Sequence, residues 1–533
     1  MQTSYRRAWC GLVIFTAAIA GFAFQAWAQI GNNGALAAPA GRNSGLGNGV
    51  VGPRSGNQAT PGDGAEGGAA SADFDSLIDL ITSTVEVESW AENGTGEGDI
   101  QPFFNGVYVD AAGALRMRDG APRATLAAVR EAGAAKPQAA GEASARAASR
   151  LRYVSLPRLE AAIADCQRRH APLDPAMLTL AGLQRISFVL VYPETGDLVV
   201  AGPAGDWQTT PTGAIVSVDT GRPVVRLDDL LTLWRRQQTE KTGAFGCSIV
   251  PRQKALARTQ DFLTATSAQP LEPGTRRKWL AGLRDNLGVQ DVEYYNIDPD
   301  TRVAGLLLAA DYHMKLVGMG LAEGVPGVKS YLATVRVGQG GELPPMSILR
   351  WWFAMPATEV EASPEHDAFA LAQRCVEVLS ENEMLAARGE RVHTGESEPL
   401  NKLFADSFTR EFAALVDKYP VYGELERVFE LALALALVER EGLAEKTAWT
   451  PTLLLDAQRL RLPKVISPRT VETVVNHRLV GGRHIIAGIS GGVWMDGGKS
   501  LRVAENSGPT GKLEIVKKHA SAGDGSHPAW WWD

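Results

Sequence analysis

The stretch Leu425 to Val438, LERVFELALALALV, constrains this chain most. A surface helix shows one apolar stripe, whereas this segment is apolar nearly all round. It can be stable only at the centre of a larger body. Upstream, Phe404, Phe408, Phe412 and Leu415 recur at helical spacing, and Pro420 breaks the run. The expectation is a helical pair over 399–442 with its second member buried.

The chain has enough apolar residues to enclose such a helix. It is 533 residues long, 45% hydrophobic and 21% charged, which excludes global disorder. Ser155 and Pro157 open a helix, with Leu159, Ile163, Cys166 and His170 on one face. Ile186–Tyr192 and Leu198–Ala201 read as a hairpin across Pro193–Gly196. Ile215–Val218 and Val224–Leu227 read as a second hairpin around Asp219–Pro223. Asp228 caps a helix through Trp234. A strand at Cys247–Val250 and a helix at 252–266 follow. A helix from Thr275 is stopped by Gly288, and Val289–Ile297 is a strand. Leu349–Phe353 and Phe369–Leu379 read as strands, and Leu479–Trp494 as short strands with Gly-Gly turns. Strands and helices are mixed without regular alternation, so the expected class is α+β and multi-domain.

Two stretches cannot build a core. Residues 31–70 hold 12 Gly, 3 Pro and no aromatic residue. Residues 121–150 hold 13 Ala with mixed charges and no apolar face. The expected map is a leader at 1–28, a Gly-rich linker at 29–72, a small α/β module at 73–118 and an Ala-rich linker at 119–150. An α+β body at 151–398, the helical pair at 399–447, an α+β segment at 448–516 and a flexible tail at 517–533 complete it.

Arg6 and Arg7 precede the apolar run Leu12–Phe24, and Ala26-Trp27-Ala28 follows. This is the pattern of a secretory signal peptide cleaved after Ala28. No later run is long enough to span a membrane. Lys and Arg number 53 against 60 Asp and Glu, a net of −7, so nothing points to nucleic acid. Cys166, Cys247 and Cys375 remain after cleavage. They allow at most one disulfide, and buried thiols are the expectation.

The segments LRDNLGVQDVEYYNIDPDTRVAGLLLAADYHMKLVGMGL, ILRWWF, RVHTG, FAALVDKYPVYGELERVFELALALAL and IIAGISGGVW resemble one planctomycete family of exported proteins. That family is catalogued as a domain of unknown function, and the resemblance runs over roughly residues 150–500. LIDLITSTVEVESWAENGTGEGDIQPF resembles a short module that recurs in exported planctomycete proteins. The resemblance implies export and no particular activity.

Several constellations invite chemistry. Gly488-Ile-Ser490-Gly-Gly492 fits the Gly-x-Ser-x-Gly pattern, but a nucleophile elbow needs a helix after the serine. Val493-Trp-Met reads as strand, so a glycine-rich β-turn is expected. Cys166 and His170 share helical spacing but lack a second pair to complete a metal tetrahedron. His366 lies between Glu365 and Asp367. His393 lies near Glu396 and before the 399 helix. Asp298-Pro-Asp300 lacks a calcium-loop pattern and reads as a tight turn. Asn93-Gly-Thr95 is a glycosylation sequon. On one strand, Trp351 and Trp352 should face opposite sides. Trp530–Trp532 lie beyond the last periodic segment, so attachment to a partner or membrane is expected of them more than folding.

No catalytic, cofactor or metal residue follows from these patterns. The expected function is an exported, non-catalytic interaction or structural protein of the envelope or extracellular space, with a protein or envelope component as partner. The alternative is a hydrolase whose site is spread across the chain. A concave pocket with converging His, Asp or Glu would favour it.

Overall fold

The computed structural model describes residues 99–103, 106–110, 144–210, 213–240, 243–266, 276–335, 348–371, 375–385, 387–480, 483–505, 511–521 and 530–533. The chain divides into two compact units, residues 1–115 with 263–276, and residues 116–262 with 277–533. In the first unit, β1 (Asp99–Phe103) pairs antiparallel with β2 (Gly106–Asp110). The strand expected at Val107–Val109 is therefore present. The leader, the Gly-rich linker, Asn93 and the helix expected from Phe74 lie outside the described residues.

The second unit opens with β3 (Ser149–Ser155), α1 (Leu156–Arg168), β4 (Phe188–Tyr192), β5 (Asp197–Ala204), β6 (Trp207–Thr209) and β7 (Ile215–Ser217). Next come α2 (Leu227–Thr239), β8 (Ala244–Pro251), α3 (Gln253–Thr266) and α4 (Arg276–Leu287), which belong to this unit up to residue 262 and from residue 277, then β9 (Val289–Tyr295) and α5 (Arg302–Gly318). Then follow β10 (Ile348–Ala354), β11 (Thr358–Ala362), β12 (Ala368–Ala370), β13 (Glu377–Leu385) and β14 (Arg391–His393). Three helices come together, α6 (Pro399–Arg410), α7 (Phe412–Lys418) and α8 (Pro420–Arg440). The chain finishes with β15 (Thr470–Glu472), β16 (Val475–Val480), β17 (Arg483–Asp496), β18 (Leu501–Glu505), α9 (Gly511–Ser521) and β19 (Trp531–Trp532).

Two mixed sheets organise the second unit, which makes it α+β. The seven-stranded sheet runs β18-β11-β12-β4-β5-β3-β19. The eight-stranded sheet runs β14-β13-β10-β17-β8-β9-β15, with β16 paired to β17. The segments 348–362 and 489–505 run side by side through both sheets. β10 is parallel to β17 in one, and β11 is parallel to β18 in the other.

Helix α8 is the segment that was apolar nearly all round, and it is buried from Tyr422 to Val438 except Glu426 and Ala436. It touches α2, α5, α7 and β18, so every side meets protein. The helices before it break at Glu411 and at Tyr419, giving three helices where a pair was expected. Helix α5 lies on the eight-stranded sheet and is buried almost throughout. Charged residues bind these helices together. Arg302 of α5 pairs with Asp229 of α2 and, at 2.9 Å, with Glu424 of α8.

Local signals set several elements as expected. The Ser155 hydroxyl accepts the Arg158 N–H at 3.3 Å and caps α1, with Pro157 in its first turn. β4 and β5 form the expected hairpin.

Other expectations are corrected. β7 pairs with β6 as well; the expected turn does close, with a bridge at Val216↔Pro223 and the Val224 and Ser217 N–H groups donating to the Ile215 and Arg222 carbonyls, but Val224–Leu227 is not a strand. The chain turns into α2 at Leu227, and Asp228 is held by Arg226 at 2.7 Å inside the first turn instead of capping it. The strand read at 369–379 is two strands, β12 in one sheet and β13 in the other. Residues 149 and 150 belong to β3 and not to a linker.

The terminal tryptophans are not free. β19 pairs with β3 at Trp531↔Val154 and Trp532↔Tyr153, extending the seven-stranded sheet by one edge. Trp532 stacks on Tyr153 at 5.8 Å, and Asp533 accepts from the buried Arg152 at 2.7 and 2.8 Å. β3 would otherwise expose a row of unpaired backbone groups along an apolar edge.

Candidate functional site

The alternation of β10 divides its sheet into two faces. Leu349, Trp351 and Phe353 are buried against the helices, Trp351 lying 4.1 Å from the Phe404 ring. Arg350 and Trp352 point to the other face, and both are half-buried. Trp351 and Trp352 thus divide as expected.

Pairing registers place the neighbours of Trp352 on that second face. One row runs Glu293, Ser248, Gly492, Trp352 and Leu379 across five strands. The adjacent row runs Tyr295, Gly246, Trp494, Ala354 and Glu377. Trp494 is 47% exposed in the middle of the sheet, and its ring lies 6.2 Å from Tyr295. The Arg350 guanidinium sits 4.3 Å from the Trp352 ring.

The glycines in these rows answer to packing. A Cβ on Gly246 would overlap the Val493 carbonyl, and one on Gly492 the Cys247 carbonyl. Gly491 has φ +143°, and its Cβ would overlap the Trp351 carbonyl. Gly491 and Gly492 therefore serve close strand approach inside β17, not the β-turn expected from sequence. Ser490 is fully buried in the same strand and donates to Glu383 Oε2 at 3.2 Å. With strand on both sides, it lacks the elbow that exposes a nucleophile.

Below the aromatic rows, the same face becomes charged. Arg350 pairs across to Glu381, Ile348 to Glu383, and Glu383 to His393 on β14. Arg350 donates to Glu381 Oε2 at 2.9 Å, and the Gly395 N–H donates to Oε1 at 2.9 Å. Burial works against the Glu381 carboxylate, but the Gly395 N–H, Arg350 and His393 together hold its pKa below the usual glutamate value. Arg391 donates to Glu383 Oε2 at 2.9 Å. His393 Nδ1 lies 3.3 Å from both Glu381 Oε2 and Glu383 Oε1. His393 is therefore beside a carboxylate as its sequence hinted, but the carboxylates come from β13 and not from Glu396.

The remaining candidates do not assemble. Cys166 is buried on α1, while His170 is exposed beyond the helix end with φ +53°. His366 Nδ1 meets Glu441 at 2.9 Å, and Asp367 pairs with Lys517, so that turn ties α8 and α9 to the sheet. Asp298 accepts the Asp300 N–H at 2.9 Å in the turn before α5. Cys166, Cys247 and Cys375 are free and buried.

Sequence reasoning missed Glu381, Glu383, Arg350 and Arg391. The Glu-Asn-Glu alternation at 381–383 was a usable signal, because alternate strand residues share a face. Ending that strand at Leu379 hid it. Two cavities lie elsewhere. One of about 250 Å³ is lined by Leu233, Arg236, Phe245, Leu435, Glu439 and Arg440. One of about 800 Å³ lies around residues 317–334 with Leu400 and Leu403.

Residues 247–331 match the model of a family described as a protein of unknown function (DUF1598). That segment runs from β8 through α5 and supplies Ser248, Glu293 and Tyr295 to the face. No curated protein and no solved structure matches the chain.

Proposed function

We propose that this chain is an exported, non-catalytic interaction protein of the cell envelope or extracellular space, of the planctomycete type its motifs resemble. In this reading it holds a protein or envelope component against the sheet face bearing Tyr295, Trp494 and Trp352. The observation that carries the reading is Trp494, a large aromatic 47% exposed at mid-sheet beside two further aromatics. Exposed aromatic clusters are characteristic of contact sites, because each ring buries much area at little cost in side-chain entropy. The leader pattern at Arg6 to Ala28 supports export. No described helix is long and apolar enough to cross a membrane.

The converging Glu381, Glu383 and His393 favour the hydrolase alternative in part. The two cavities described above lie away from them, whereas the exposed aromatic face continues directly from them along the same sheet. Binding without turnover is therefore the better reading.

The test is co-sedimentation of the full chain with isolated envelopes of the producing cell. Trp352→Ala with Trp494→Ala should lower the melting temperature by no more than about 4 °C, since both rings are half-exposed, and lower binding at least tenfold. Unchanged binding in the double variant would sink the proposal. The native protein should also begin at or near Gln29, and an intact Met1 would remove the export half of it.

A further inference from the structure

We infer that Glu381, Glu383 and His393 form a divalent-cation site at the charged end of the sheet face. The geometry begins with the strand ladder. β13 places Glu381 and Glu383 two residues apart on one face, and β14 places His393 directly across from Glu383. The candidate donor atoms of the three lie within 4.8 Å of one another.

The spacing matches what a metal demands. Zinc bonds to nitrogen and oxygen are ~2.0–2.2 Å, so donors at tetrahedral or octahedral angles stand roughly 2.9–3.5 Å apart. His393 Nδ1 lies 3.3 Å from Glu381 Oε2 and 3.3 Å from Glu383 Oε1. Three donors on one side leave the solvent side for water, and the His393 side chain is 58% exposed there.

A pair of glutamates alone would carry no such inference. The independent observation is the state of Glu383 Oε1. Glu383 is fully buried, and among the described residues this oxygen has no hydrogen-bond partner. Among the described residues, His393 Nδ1 lies 3.3 Å and Arg350 Nε 3.9 Å from it. A buried carboxylate oxygen without a donor is costly, and a bound cation satisfies it. The other oxygen of Glu383 is fully used, accepting from Arg391 and Ser490. That arrangement aims the free oxygen at the site, as outer hydrogen bonds do around metal ligands. Glu381 is held at Oε1 by the Gly395 N–H, while its candidate ligand atom Oε2 also accepts from Arg350, so a bound ion would share that oxygen with the guanidinium.

Arg350 and Arg391 offset the two carboxylate charges, so the site is weaker than a bare pair of glutamates. One nitrogen and two oxygen donors suit a borderline first-row ion more than calcium or magnesium.

The test is calorimetric titration of the full chain with Zn²⁺, and Co²⁺ absorption as a spectroscopic readout of coordination. The expected result is one ion per chain at pH 7.5, with affinity reduced at least tenfold in His393→Ala and in Glu383→Gln. Glu396→Gln, an exposed neighbour outside the cluster, should bind as the parent does. His393→Ala is the decisive variant, because an exposed side chain can be removed without unfolding the sheet. Absence of saturable one-to-one binding, or an unchanged affinity in His393→Ala, would overturn the site. These titrations contain no envelope component, so they stand or fall apart from the proposed interaction function.

Discussion

Deleting Trp531–Asp533 should destabilise the fold substantially. Trp531 and Trp532 are each half-buried along β3, so removing them forfeits roughly 1–1.5 kcal/mol apiece. The Tyr153–Trp532 stack at 5.8 Å adds about 0.5–1 kcal/mol. The fully buried Arg152 loses its carboxylate partner Asp533 but keeps the Ala147 and Ala181 carbonyls at 3.0 and 2.9 Å, which limits that loss to about 1 kcal/mol. The sum is about 4 kcal/mol. At an unfolding entropy of ~2.1 cal/mol/K per residue over residues 144–533, this lowers the melting temperature by about 5 °C. Differential scanning calorimetry of the deletion against the parent is the assay, with Asp533→Asn as a milder step expected to cost about a quarter as much. A shift below about 1 °C on deletion would refute the reasoning and return the tryptophans to a role in attachment.

Two further outcomes follow from buried groups. Ser490→Ala should cost about 1–2 kcal/mol by removing the hydroxyl that donates to Glu383, and a fluorophosphonate probe should not label the parent at Ser490. Labelling there would overturn the structural reading of that serine. Burial pushes the Glu430 carboxyl up to about 7, against the nearby Arg427 and Arg185. Between about pH 4.5 and 7 the folded chain then keeps a proton that the unfolded chain has released, so this contribution is full below pH 4.5 and lost as pH rises through 7. Its upper size is on the order of 3 kcal/mol, and Glu430→Gln should flatten the stability–pH curve across that window. An equally steep curve in Glu430→Gln would rule the group out as the cause.

Local and periodic features were legible in the residues themselves. The Ser155 cap, the β4–β5 hairpin, the α3 and α4 helices and the burial of α8 each depend on a few neighbouring side chains. The opposite facing of Trp351 and Trp352 needs only the two-residue strand repeat. The α+β class follows from the order of such segments. What the chain could not announce is which strand lies beside which. A period of two fixes the faces of a strand but names no neighbour. Hence β7 joined β6 in addition to the downstream segment expected beside it, and β10 joined β17 from well over a hundred residues away. The charged cluster arises from that pairing alone, because Glu381, Glu383 and His393 meet only after β13 and β14 align. The terminal tryptophans found their place the same way. Their docking depends on an open β3 edge and a buried Arg152, and both exist only once the seven-stranded sheet has formed.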